Sequence, residues 1–338
     1  MATPRLRLPG FVSAHSHGFQ RALRGRVTGR DFWAWRQAML DEAARHTPDT
    51  VRAAYADVYR ELLGAGYTAV GEFHYLGFAE ALAALDAARE AGIDIVLLLA
   101  AYERGGLERF RQPSLAAYLD QVSELRALGA RVGLAPHSVR ACSRGWLEAI
   151  GEAARRLGLV LHVHADEQPR EIASCLAEHG LRPIELLADT GCLGPRTTVV
   201  HATHADANEL DLLAESGARV CLCPTTEANL GDGFAPVREL LARGIPICIG
   251  SDSNVRVDPL EELRELDGIA RRAALARDVV PLEPLLAIGS TAGAAAIGLD
   301  AWRDVEVDPA HRCLRGIDPE NIPAALVQGC SGGALSPA

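Results

Sequence analysis

Eight apolar runs recur along the chain, at residues 11–16, 67–73, 93–101, 131–136, 158–164, 197–202, 217–222 and 245–250. They are rich in Val, Leu and Ile, with little polar alternation. That is the pattern of strands buried on both faces, as in a parallel sheet covered by helices. Amphipathic stretches at 50–64, 78–91, 114–128, 145–157, 206–216 and 235–243, and a longer one at 259–277, predict helices between or after them. Several stop at a glycine, as at Gly92, Gly129, Gly217 and Gly244. Eight strand-then-helix units predict an α/β fold, a (β/α)8 TIM barrel over residues 1–300. Residues 301–338, rich in Gly, Pro and Ser, are expected to form an irregular C-terminal tail.

The polar residues that end these runs carry the candidate chemistry. His15-Ser16-His17 closes the first, and its two imidazoles project to one side because strand side chains alternate. His164 closes the fifth run, His201 the sixth and Asp252 the eighth. In a parallel barrel these ends share one mouth. Three histidines and a carboxylate suit one divalent ion, Zn²⁺ or another transition metal, which would lower the pKa of a water there. Glu167, three residues past His164, could protonate a leaving nitrogen, hold a cationic group, or simply favour a helix N-terminus. His201 could orient the water, and Asp252 could both touch the metal and take a proton. His162 and His204 fit packing roles beside apolar strands, while the role of His74 is open.

Composition narrows the classes. The formal charge is −10 with no basic stripe, which argues against nucleic acid. No apolar run reaches the roughly 18 residues of a membrane span, and the first residues lack a signal-peptide pattern. The eight scattered cysteines are expected to be reduced, buried thiols in a cytoplasmic protein. Cys221-Leu222-Cys223 could join a metal site, but no second pair completes it. All 34 basic residues are arginine. Without lysine the chain can form no lysine Schiff base, phosphate-loop lysine or lysine-carbamate metal bridge.

Longer stretches carry a resemblance. They include Ala14-His15-Ser16-His17-Gly18-Phe19-Gln20-Arg21-Ala22, Asp31-Phe32-Trp33-Ala34-Trp35-Arg36, Gly71-Glu72-Phe73-His74-Tyr75 and Pro136-His137-Ser138-Val139-Arg140. Further on come His164-Ala165-Asp166-Glu167-Gln168, Val200-His201-Ala202-Thr203-His204, Thr226-Glu227-Ala228-Asn229-Leu230-Gly231-Asp232-Gly233 and Gly250-Ser251-Asp252-Ser253. In these the chain resembles the amidohydrolase superfamily and, within it, the formimidoylglutamate deiminase family. The resemblance implies one metal held by His15, His17, His164 and Asp252, with Glu167, His201 and Asp252 as catalytic residues. It implies that Gln20, Arg36, Tyr75, His137 and Arg140 recognise a small dicarboxylate, N-formimidoyl-L-glutamate, which is deiminated to N-formyl-L-glutamate and ammonia. Guanidinium groups at Arg36 and Arg140 would match two carboxylates. A related aminohydrolase acting on another amidine, guanidine or heterocycle is the alternative, and a non-catalytic ligand-binding barrel is a third reading.

Departures from the family pattern add expectations. Asn254 stands where the family usually has a histidine. Only ten residues precede the first barrel strand, and Leu314-Arg315-Gly316-Ile317-Asp318 does not match the usual run after the barrel. The small β-sandwich that usually accompanies the barrel is therefore expected to be missing or vestigial, leaving surface for a homodimer partner.

Overall fold

A computed structural model describes residues 6–338. Eight strands form one parallel sheet in sequence order: β2 (Phe11–Ser16), β3 (Tyr67–His74), β4 (Asp94–Ala101), β5 (Val132–Pro136), β6 (Leu161–Ala165), β7 (Thr197–His201), β8 (Arg219–Leu222) and β9 (Ile247–Ile249). Nearly every residue of these strands is buried, which is why each reads as a continuous apolar run. The helices on the outside start and stop on local signals. Asp206 caps Ala207–Ser216 by accepting the Glu209 N–H, Asp258 caps Pro259–Ala274, and Gly217 ends the first of these in the left-handed region at φ 71°.

The barrel closes at its mouth. Ser16 and Asp252 form an isolated parallel bridge, in which the Asp252 N–H donates to His15 O at 3.0 Å and the His17 N–H to Asp252 O at 2.8 Å. The Ser251 N–H donates to Ser13 Oγ at 3.0 Å. Gly250 is required at this seam, because a Cβ there would stand 2.7 Å from His15 O and 2.9 Å from its Cβ. Asn254 completes the closure. Its Nδ2 donates to Ser16 Oγ, His17 O and Asp252 O at 3.1, 3.2 and 3.0 Å, from a left-handed backbone at φ 54° that asparagine tolerates.

Two expectations need correction. Residues 301–338 are not irregular. β1 (Leu6–Pro9), β10 (Asp304–Val307) and β11 (Leu335–Pro337) form a three-stranded antiparallel sheet in the order β1-β10-β11. The helix Ile322–Gly329 follows β10 and is pinned to Pro259–Ala274, whose Arg264 donates to Val327 O and Cys330 O at 2.9 and 2.6 Å. Strands of three or four residues are too short for periodicity to reveal. This sheet joins segments from both sides of the barrel. The eight cysteines are not all free either: Cys313 and Cys330 are disulfide-bonded, with Cα atoms 5.6 Å apart, and the other six are buried thiols. Among the described residues no helix is long and apolar enough to cross a membrane.

Candidate active site

β2 delivers His15 and His17 to the mouth, β6 delivers His164, and the turn after β9 delivers Asp252. The three Nε2 atoms converge: His15 to His17 is 3.1 Å, His15 to His164 3.0 Å and His17 to His164 3.4 Å. Asp252 Oδ1 lies 3.5 Å from Nε2 of both His15 and His17. His17 Nδ1–H donates to Phe73 O at 3.0 Å, and His164 Nδ1–H to His137 O at 2.9 Å. A carbonyl can only accept, so each Nδ1 holds a proton and each Nε2 presents a lone pair. Burial lowers all three imidazole pKa values, His15 to about 3, which keeps the rings neutral. Asp252 is held at about 2: burial would raise it, but the imidazoles of His15, His17 and His201 gathered around it prevail. Lone pairs converging beside a carboxylate repel one another unless a cation lies between them, so this donor set fits a divalent metal.

Glu167 and His201 flank that centre. Burial raises the Glu167 carboxyl. Its Oε1 lies 3.8 Å from His201 Nε2 and its Oε2 3.8 Å from Arg140 Nη2. Burial alone would lower His201, yet the charge of Glu167 and the hydrogen bond to Glu227 raise it to about 10. Backbone strain clusters here too. Asp166, His201, Ala202, Asp252 and Asn254 all adopt positive φ, leaving only Leu275 among the described non-glycine residues with that conformation elsewhere.

A cleft opens onto this centre. His17, His164, Glu167, His201 and Asp252 form its floor, and Gln20, Arg36, Tyr75, His137 and Arg140 its walls, so it gathers every residue expected there except buried His15. Gln20 Nε2 donates to Tyr75 Oη at 2.8 Å. The His137 ring lies 4.6 Å from Tyr102 and 4.7 Å from His164. Arg140 is partly neutralised, with Nε 3.4 Å from Glu171 Oε1. Arg36 lines the cleft with no hydrogen bond or ion pair to another described residue. It stands on the helix Phe32–Ala43, capped by Asp31 and fastened where Arg170 stacks 4.5 Å over Trp33.

Other expected residues lie apart from this centre. His162 Nε2 donates to Ala296 O at 2.9 Å and His74 Nε2 to Gly77 O at 3.0 Å, both packing roles. His204 takes no place on the cleft wall. Of the Cys221–Cys223 pair, only Cys223 brings its sulfur within 4.8 Å of donor atoms of His201 and Asp252. Tyr102, Arg104 and Trp35 also line the cleft, and Glu227 lies behind His201; sequence spacing gave none of them a role. Phe-Trp-x-Trp-Arg did hold a signal for Trp35, as an aromatic cluster beside a candidate arginine.

Glu72, beneath the site, accepts the Gly18 N–H at 2.8 Å. Burial raises its carboxyl from 4.5 to about 8. The folded chain thus keeps a proton that the unfolded chain releases near pH 4.5, and stability falls as pH rises from there to about 8. Glu72→Gln is expected to flatten that part of the urea-midpoint profile relative to wild type. An unchanged slope would contradict a protonated Glu72.

Residues 6–301 match the model of the amidohydrolase family. The chain belongs to that family. It is 39% identical over 289 residues to the formimidoylglutamate deiminase of Pseudomonas aeruginosa, a match covering 77% of this chain and 63% of the relative. It is 30% identical over 306 residues to a 5-methylthioadenosine/S-adenosylhomocysteine deaminase of Halobacterium salinarum, covering 88% and 69%. Among solved structures, an adenosine deaminase from Xanthomonas campestris with bound zinc shares the fold at TM-score 0.90 and 23% identity, covering 98% of this chain and 80% of that one. An amidohydrolase from Brucella melitensis matches at TM-score 0.87 and 29% identity, covering 98% and 82%. The amidohydrolase therefore spans less than two thirds of the length of its Pseudomonas relative.

Proposed function

We propose that this amidohydrolase hydrolyses N-formimidoyl-L-glutamate to N-formyl-L-glutamate and ammonia, a step of histidine degradation. The carrying observation is Arg36: a guanidinium with no hydrogen-bond or ion-pair partner among the described residues, on the wall of the same cleft that holds the converging imidazoles. Likeness to the Pseudomonas formimidoylglutamate deiminase supports it.

His15, His17, His164 and Asp252 would hold one divalent ion, zinc in this reading, which when bound supplies Lewis-acid activation of water. The chain's own groups do the rest. Arg36 and Arg140 bind the two carboxylates, with Gln20, Tyr75 and His137 shaping the pocket around the glutamate stem. Asp252 takes the proton of the attacking water. His201 donates from Nε2 toward the oxygen as the formimidoyl carbon becomes tetrahedral. Glu167, whose raised pKa suits it to carry a proton, delivers one to the imino nitrogen. Asp252 passes the water's proton to the same nitrogen and Glu167 takes back the proton of the new hydroxyl, so that the C–N bond breaks, ammonia leaves, and the carbon keeps the water's oxygen as a formyl group. The same reading includes a cytoplasmic homodimer.

The aromatic wall of Tyr75, Tyr102 and Trp35 favours a second reading, an aminohydrolase of a heterocyclic amine. One assay separates them. Zinc-loaded protein incubated with N-formimidoyl-L-glutamate is expected to release ammonia and N-formylglutamate in equal amounts. Arg36→Met should raise KM about 10- to 100-fold, the loss of one charge-assisted contact of about 1.5–3 kcal/mol. Release of ammonia from a heterocycle alone, insensitive to Arg36→Met, would overturn the proposal.

A further inference from the structure

His201 ends β7 with its ring between two carboxylates. On the cleft side, Nε2 faces Glu167. Behind it, Nδ1 lies 3.2 Å from Oε1 of Glu227, a residue of the helix Pro224–Leu230 with 2% of its surface exposed. The same Oε1 accepts the Cys223 N–H at 2.9 Å, while Oε2 is buried without a hydrogen-bond partner among the described residues. A helix-capping acid would need only the Cys223 bond and could keep its other oxygen in water. Here the carboxylate is drawn inward onto the imidazole. The His164 ring stacks at 5.6 Å, but Glu227 makes the only hydrogen bond to the His201 ring among the described residues.

We propose that Glu227 is a positioning residue. It accepts the Nδ1–H of His201, fixing the ring plane so that Nε2 points at Glu167 and the cleft. A carboxylate orients an imidazole in the same way behind many catalytic and metal-bound histidines. The inference rests on the role given to His201 above and adds the group that holds His201 in it.

Two variants of the zinc-loaded full chain test this. Glu227→Leu is expected to lower kcat about 100-fold with KM changed less than about threefold, as for loss of an orienting partner. Glu227→Gln, whose Oε1 can still accept both bonds, should keep kcat within about 10-fold. A second measurement needs neither substrate nor metal. In ¹⁵N-histidine-labelled, metal-free protein, the His201 signal, assigned by its loss in His201→Gln, should show a proton on Nδ1 in the wild type and in Glu227→Gln. Wild-type protein with no proton on Nδ1, or a folded Glu227→Leu variant with unchanged kcat, would overturn the proposal. Failure of formimidoylglutamate turnover would instead strike the functional reading, and the nitrogen spectrum would still decide the role of Glu227.

Discussion

His164→Ala is expected to yield a folded protein with almost no bound metal and turnover lowered by on the order of 10³-fold or more. The reason lies in how the donors are held. His164 is gripped twice by one carbonyl, its Nδ1–H and its backbone N–H both donating to His137 O, at 2.9 and 3.1 Å. Its Nε2 is thereby fixed 3.0 Å from that of His15. Removing it leaves two imidazoles and Asp252, and a water in place of a rigid neutral donor. The barrel around it should survive, because β6 pairs with β7 through its backbone over five positions. Metal analysis of the purified variant, alongside circular dichroism, checks this. A full equivalent of tightly held metal in the variant would contradict the ligand assignment.

Glu167→Gln should cost 10²- to 10⁴-fold in kcat, about the share of a well-placed general acid, with KM nearly unchanged. Glutamine keeps the shape of the side chain but cannot deliver a proton. Arg140 would keep its contact with Glu171 Oε1 at 3.4 Å, so substrate recognition should be spared. Single-turnover measurement separates the two effects. A variant that binds poorly but turns over normally would reassign Glu167 to substrate binding.

The barrel strands were legible because burial on both faces writes each as an unbroken apolar run, and ligand-type residues ended those runs. The helix 78–91 matches the observed Phe78–Ala91, where Gly92 provides the stop. Other elements left little trace. The helix Phe32–Ala43 buries only Phe32, Met39 and Ala43, because its Trp35 and Arg36 face the cleft, so it lacks the amphipathic stripe of a core-packed helix. β10 and β11 span only four and three residues, and the sheet they form depends on β10 pairing with β1 some 300 positions away. The tie between Glu227 and His201 crosses from one βα unit to the next, a contact set by barrel geometry and by no spacing along the chain. The partial neutralisation of Arg140 by Glu171 is hidden for the same reason.

The bridge between Ser16 and Asp252 has a consequence during synthesis. The chain emerges N-terminus first. His15 and His17 leave the ribosome long before their carboxylate partner, and the barrel cannot close until β9 and Asp252 follow. On the ligand assignment proposed above, the histidines would offer only part of a site until then, and an ion captured early could still exchange. Selection of the metal would thereby be deferred to the moment the last strand docks, when the finished cavity, and not the nascent chain, would set which ion fits.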